Sequence, residues 1–174
     1  MKRTVVLGAV ALVATVAGVG TGYHFAAPAS PEQAALTQLT RARLPDASGA
    51  LVDMGQWRGK PMLVNFWGTW CAPCREEMPL LNDTAARYPG VQFVGIGIDE
   101  AAALKAYAAT HDTRYPLLLG DANLLSLTRQ LGNTAQALPF SVLIDARGAV
   151  HQVKLGAFKE AELQTALTSA ANVR

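Results

Sequence analysis

Two apolar runs, Met62 to Trp67 and Val91 to Ile98, are each followed by a stretch with helical spacing, and this alternation constrains the fold most. Runs this apolar, without polar alternation, read as strands covered on both faces, and such strands demand helices on either side. Ala72 to Tyr88 reads as the first helix, ending before Pro89-Gly90. Glu100 to His111 reads as the second, with Leu104, Tyr107 and Ala108 at helical spacing. Leu117 to Leu119 suggests a short strand, and Asn123 to Leu131 a helix stopped by Gly132. Phe140 to Ile144 and Ala149 to Leu155 read as strands joined by the turn Asp145-Ala146-Arg147-Gly148, and Lys159 to Ala171 as a closing amphipathic helix. That order predicts an α/β fold of three layers around a central mixed sheet. Ahead of it, Glu32 to Arg43 reads as a short helix. Leu44 to Lys60, with turn signals at Pro45-Asp46-Ala47-Ser48-Gly49 and Arg58-Gly59-Lys60, reads as an added N-terminal β-hairpin.

The first 30 residues differ in kind from residues 31–174, which form the expected domain. Met1-Lys2-Arg3 precedes Thr4 to Gly22, an uncharged stretch rich in Val, Ala and Leu. A positive start followed by an apolar segment is an export signal, removed or retained. Ala27-Pro28-Ala29 has the small-residue spacing of a cleavage site, although proline between the alanines makes it a poor one. The apolar stretch is also close to the roughly 20 residues a helix needs to cross a bilayer. Retained as an anchor, it would leave Lys2 and Arg3 in the cytoplasm and Tyr23, His24 and Phe25 at the outer interface. Either way the domain is expected to face the oxidising, periplasmic side of a bacterial cell envelope.

Charge excludes one class of function. The chain has 15 basic and 13 acidic residues, and Lys2 and Arg3 account for the excess. The body is neutral, without a basic stripe for a phosphate backbone, so nucleic-acid binding has no support.

Cys71 and Cys74 are the only cysteines, three apart, which leaves nothing for structural bridges. They fall where the strand ending at Trp67 passes through Gly68-Thr69-Trp70 into the next helix. Backbone N–H groups converge at a helix start and stabilise a thiolate there. One turn on, Cys74 lies on the same face within reach of the first sulfur, so the pair can open and close reversibly. Cys71, at the exposed first position, is expected to attack a substrate disulfide. Cys74, more buried, is expected to resolve the mixed disulfide. Other uses of C-x-x-C fit less well. Arg75 stands where haem attachment needs histidine, and His24, His111 and His151 lack metal spacing, so no metal is expected.

Trp70-Cys71-Ala72-Pro73-Cys74, preceded by Asn65-Phe66-Trp67 and followed by Glu76-Glu77-Met78-Pro79, resembles the TlpA-like group of thioredoxin-fold reductases. The likeness covers roughly residues 44–172, and the hairpin before the first long strand fits that group. Gly68 departs from it, standing where alanine is more usual. The resemblance implies a thioredoxin-like fold and a cis peptide bond between Leu138 and Pro139, in a loop that faces the cysteines and pairs with substrate. It implies that Trp70, Pro73, Leu138 and Pro139 contact substrate, whereas Trp67 belongs to the core. It also implies an acid near the cysteines. Glu100, continuing the alternation of Val94, Ile96 and Ile98, is the candidate to exchange protons with Cys74, the alternative being a carboxylate at the next helix start. Glu76 and Glu77 read as solvated acids of the first turn, and Pro79 as a helix kink.

Ala72-Pro73 offers no side chain that donates to the thiolate, which favours a reducing pair and hence a protein-disulfide reductase. Such a reductase needs electrons from elsewhere. The resemblance implies a DsbD-like membrane donor, no bound cofactor, and protein substrates such as apocytochrome c or damaged envelope thiols. A monomer is expected. Two alternatives remain: a thiol peroxidase, for which Thr69 has the wrong spacing from Cys71, and a copper-binding thiol metallochaperone.

Overall fold

The computed structural model describes residues 29–173. The expected signal or anchor lies outside them. Among the described residues no helix is long and apolar enough to cross a membrane.

The chain opens with α1 (Pro31–Thr40), whose first turn is capped by the Ser30 hydroxyl accepting from Gln33 N–H at 3.1 Å. β1 (Arg43–Pro45) and β2 (Leu51–Asp53) form the expected hairpin. Its turn is tied by the Asp46 carboxylate, which accepts from the Ser48 and Ala50 N–H groups, and by Gly49 at φ 92°.

Next come β3 (Met62–Trp67), α2 (Ala72–Arg87), β4 (Gln92–Ile98), α3 (Ala101–Thr110), β5 (Leu117–Gly120) and α4 (Ala122–Leu127). β6 (Phe140–Ile144), β7 (Val150–Leu155) and α5 (Glu160–Ala171) complete the chain. The expected helix from Asn123 to Leu131 is α only to Leu127. Its last turn tightens to 3-10 before Gly132 stops it at φ 103°. The expected kink residue, Pro79, lies inside α2.

The sheet runs β5-β4-β3-β6-β7, with β3, β4 and β5 parallel and β6 and β7 antiparallel to their neighbours. This is the expected mixed sheet with a separate hairpin. Side-chain parity divides the core into two layers. Val64, Phe66, Val94, Ile96, Phe140 and Val142 pack on one face under α1 and α4. Leu63, Trp67, Phe93 and Leu143 pack on the other against Leu81 of α2, Leu104 of α3 and Leu163 and Leu167 of α5.

Two buried strand positions on that second face are polar. Asn65 of β3 sits directly opposite Ser141 of β6, and both are buried. Stability rests on the apolar positions around them. Leu81 is fully buried, so Leu81→Ala is expected to lower the unfolding free energy by about 2–5 kcal/mol. A denaturant titration would show this as a lower midpoint at unchanged slope.

Candidate active site

β3 ends at Trp67, and Gly68 to Cys71 form a turn closed by the Cys71 N–H donating to the Gly68 carbonyl at 3.1 Å. Cys71 keeps an extended backbone (φ −89°, ψ 107°) and is the N-cap of α2, so the helix's free N–H groups gather beside it. Pro73 takes an early position in the helix, where its missing N–H costs nothing. Cys71 and Cys74 are joined as a disulfide, their Cα atoms 5.3 Å apart. Cys74 is 1% exposed and Cys71 6%. Both are buried, and Cys71 is far less open than its place at a helix start suggests, because the residue also packs into the core cluster beneath the sheet.

Trp70 flanks the pair and is 64% exposed, with its indole N–H donating to the Ile98 carbonyl at 3.0 Å. A Cβ on Gly68 would come within 2.7 Å of Trp70 Nε1, so glycine lets the indole fold back over the turn. Beside Trp70 a groove of about 1410 Å³ runs over the C-terminal ends of β4 and β5 toward α1, lined in part by Arg41, Leu44, Ile98 and Leu119. On the other side lies the loop before β6. Its Leu138–Pro139 peptide bond is cis, and Leu138 packs against the cluster that contains both cysteines.

Behind the pair is a buried acid. Glu77, one helical turn beyond Cys74 on α2, is 3% exposed. Its Oε1 accepts from the Phe158 N–H at 2.7 Å and its Oε2 from Asn65 Nδ2 at 3.3 Å. The same Asn65 amide donates to the Ser141 hydroxyl at 2.9 Å, whereas Asn65 Oδ1 has no partner among the described residues. Burial dominates and pushes the Glu77 carboxyl up to about 7, against the opposing hydrogen bonds from Phe158 and Asn65 and the charge of Lys154. Near neutral pH this group can hold or release a proton.

The family described as Redoxin matches residues 30–168. The chain belongs to the redoxin family. This redoxin is 31% identical over 122 residues to the thiol-disulfide oxidoreductase ResA of a Bacillus cereus strain, covering 68% of each chain. It is 26% identical to the thioredoxin-like protein YneN of Bacillus subtilis (strain 168), covering 69% of this chain and 71% of that one. Among solved structures, a thioredoxin family thiol:disulfide interchange protein from Chlorobium tepidum TLS superposes with a TM-score of 0.67 at 27% identity. It covers 76% of this chain and 97% of its own. A thioredoxin-related protein from Neisseria meningitidis serogroup B gives 0.64 at 28% identity, with 73% and 97% covered. The redoxin is therefore a thiol–disulfide oxidoreductase with a thioredoxin-like fold, in keeping with its TlpA-like motif.

The site differs from the sequence reading at its acids. Glu100 is exposed: β4 ends at Ile98 and the chain bends at Asp99, which breaks the alternation that was to carry Glu100 inward. It precedes α3 without making a side-chain cap bond and lines the groove beside Trp70. Glu77 is the buried acid instead of the solvated one, although Glu76 is exposed as expected. The signal was present in the spacing, because Cys74, Glu77, Met78 and Leu81 form one helical stripe and all four are buried.

Proposed function

We propose that this redoxin is a protein-disulfide reductase of the bacterial cell envelope, and the observation that carries the reading is the buried Glu77 one helical turn behind Cys74. In the reduced protein, the Cys71 thiolate attacks a substrate disulfide. A Cys71–substrate S–S bond forms, the substrate's own S–S bond breaks, and the leaving sulfur takes up a proton. Cys74 then gives its proton to Glu77 and attacks the Cys71 sulfur. This closes the Cys71–Cys74 bond and expels the second substrate thiolate, which is protonated in turn. The substrate gains two electrons and the protein loses two.

The exposed Ala72 and Pro73 between the cysteines carry no side-chain donor for the Cys71 thiolate, which supports the reducing direction. Trp70, Pro73, Leu138 and Pro139 would frame the substrate chain, whose physiological form is a protein disulfide such as that of apocytochrome c or one formed by oxidation of envelope protein thiols. A DsbD-like membrane carrier would restore the dithiol, and residues 1–30 would deliver or tether a monomeric domain to that compartment. Glu100, exposed on the groove, would act there on substrate charge instead of on the Cys74 proton.

The direct test is dithiothreitol-driven reduction of insulin together with the equilibrium against glutathione. Catalytic protein is expected to speed insulin precipitation severalfold, with a potential close to thioredoxin's ~−270 mV. A potential close to the ~−120 mV of a strong oxidant such as DsbA would reverse the direction.

A further inference from the structure

We propose that Arg75 and Asp99 are positioning residues for the reaction at Cys71, gripping the turn before it from opposite sides. The Gly68–Cys71 turn has one internal hydrogen bond, at 3.1 Å, and begins with glycine, so it holds its own shape weakly. What it lacks internally is supplied from outside. Asp99 Oδ2 accepts from the Thr69 N–H at 2.6 Å, and Arg75 Nη1 donates to the Thr69 carbonyl at 2.6 Å. The two peptide groups flanking Thr69 are thus each held by a charged side chain. Such bonds are shorter and about twice as strong as neutral ones.

Both grips are themselves anchored. Asp99 Oδ1 accepts from the Glu100 N–H at 2.9 Å, fixing the carboxylate to the bend after β4. The same bend receives the Trp70 indole N–H at the Ile98 carbonyl. Arg75 lies near the start of α2, where its own N–H donates to the Cys71 carbonyl at 3.2 Å. Its backbone and side chain therefore bracket Cys71 from the following turn of the helix. While the disulfide is closed, Cys74 also restrains Cys71. Once it opens, that covalent restraint is gone and the grip from Arg75 and Asp99 remains.

The consequence is kinetic. Attack on a disulfide needs the thiolate aligned with the bond it breaks, and a misplacement of about 1 Å can cost about 100-fold. The two residues also bring opposite charges to the turn, so they have opposite effects on the stability of the thiolate. The charged or titratable side chains at this end of the molecule include Arg75, Asp99, exposed Glu100, Tyr107, whose hydroxyl lies within the field of Arg75, and Arg41 and Asp121 along the same groove.

The test uses the reduced protein and a small aromatic disulfide at pH 7, which requires thiol exchange and is independent of reductase direction or natural substrate. Arg75→Met and Asp99→Ala are each expected to slow the attack about tenfold. Their equilibrium constants with glutathione should move in opposite directions, Arg75→Met toward a more reducing pair. Arg75→Lys, which restores a charged donor, should recover most of the rate, and Asp99→Asn, which keeps an acceptor, should lie between Asp99→Ala and the parent. Attack within twofold of the parent in either truncated variant would overturn the proposal. So would a slowdown that follows the melting temperature and is not relieved by Arg75→Lys.

Discussion

A Cys74→Ser protein, reduced and mixed with oxidised insulin, is expected to accumulate a covalent adduct on Cys71 that dithiothreitol releases, whereas Cys71→Ser accumulates none. Both substitutions should lower catalysed insulin reduction by roughly three orders of magnitude, since the two sulfurs act as one unit. The asymmetry in trapping separates their roles. Cys71 caps the helix, where free N–H groups favour the thiolate, and it retains 6% of its surface against 1% for Cys74. Non-reducing electrophoresis with mass mapping of the adduct checks the assignment, and equal trapping by both variants would refute it.

The second large effect is expected at Glu77. Its carboxyl is held near 7 by burial, so its ability to accept a proton from Cys74 changes across the neutral range. Glu77→Gln is expected to slow turnover about 100-fold at pH 7 and to remove the rise in resolving rate between pH 6 and 8. The same group gives stability a defined pH dependence. Folding raises its pKa from 4.5 to about 7, so the folded state binds the extra proton. The resulting stabilisation is fully present below about pH 4.5, falls as pH rises, and is gone above pH 7. The whole span amounts to about 3 kcal/mol. Denaturant midpoints measured from pH 5 to 8 should therefore fall more steeply for the parent than for Glu77→Gln. Parallel curves would show that Glu77 does not titrate in this range.

Much of this architecture was legible beforehand because it follows from apolar periodicity. Met62–Trp67 and Phe140–Ile144 coincide with their expected bounds, since continuous burial leaves no doubt about a strand. The Cys71–Cys74 pair and its place at a helix start follow equally from a glycine turn after a buried strand. What escaped was whatever depends on contacts between distant segments. Glu77 is held by Phe158, 81 positions along the chain, and Asn65 by Ser141, 76 along, and neither partner announces itself locally. Glu100 departs from its expected place for a different reason. The alternation of Val94, Ile96 and Ile98 ends at Ile98, where the chain bends and the Asp99 side chain takes the Glu100 and Thr69 N–H groups.

The two borders of the central sheet are finished differently. Beyond β5, the hairpin lays Asp46 against Leu118, so a foreign strand meets a border already occupied. Beyond β7 no strand follows among the described residues, and Val153 and Leu155 stand 40% and 54% exposed. Unguarded, that rim would template self-association. It is interrupted by Lys154, which is tied at 2.7 Å to Glu162 of α5, and by an irregular register at Leu143/Ile144. This lysine and the register irregularity therefore guard the border that the hairpin does not cover, and replacing Lys154 with an apolar residue would make strand-to-strand association easier there.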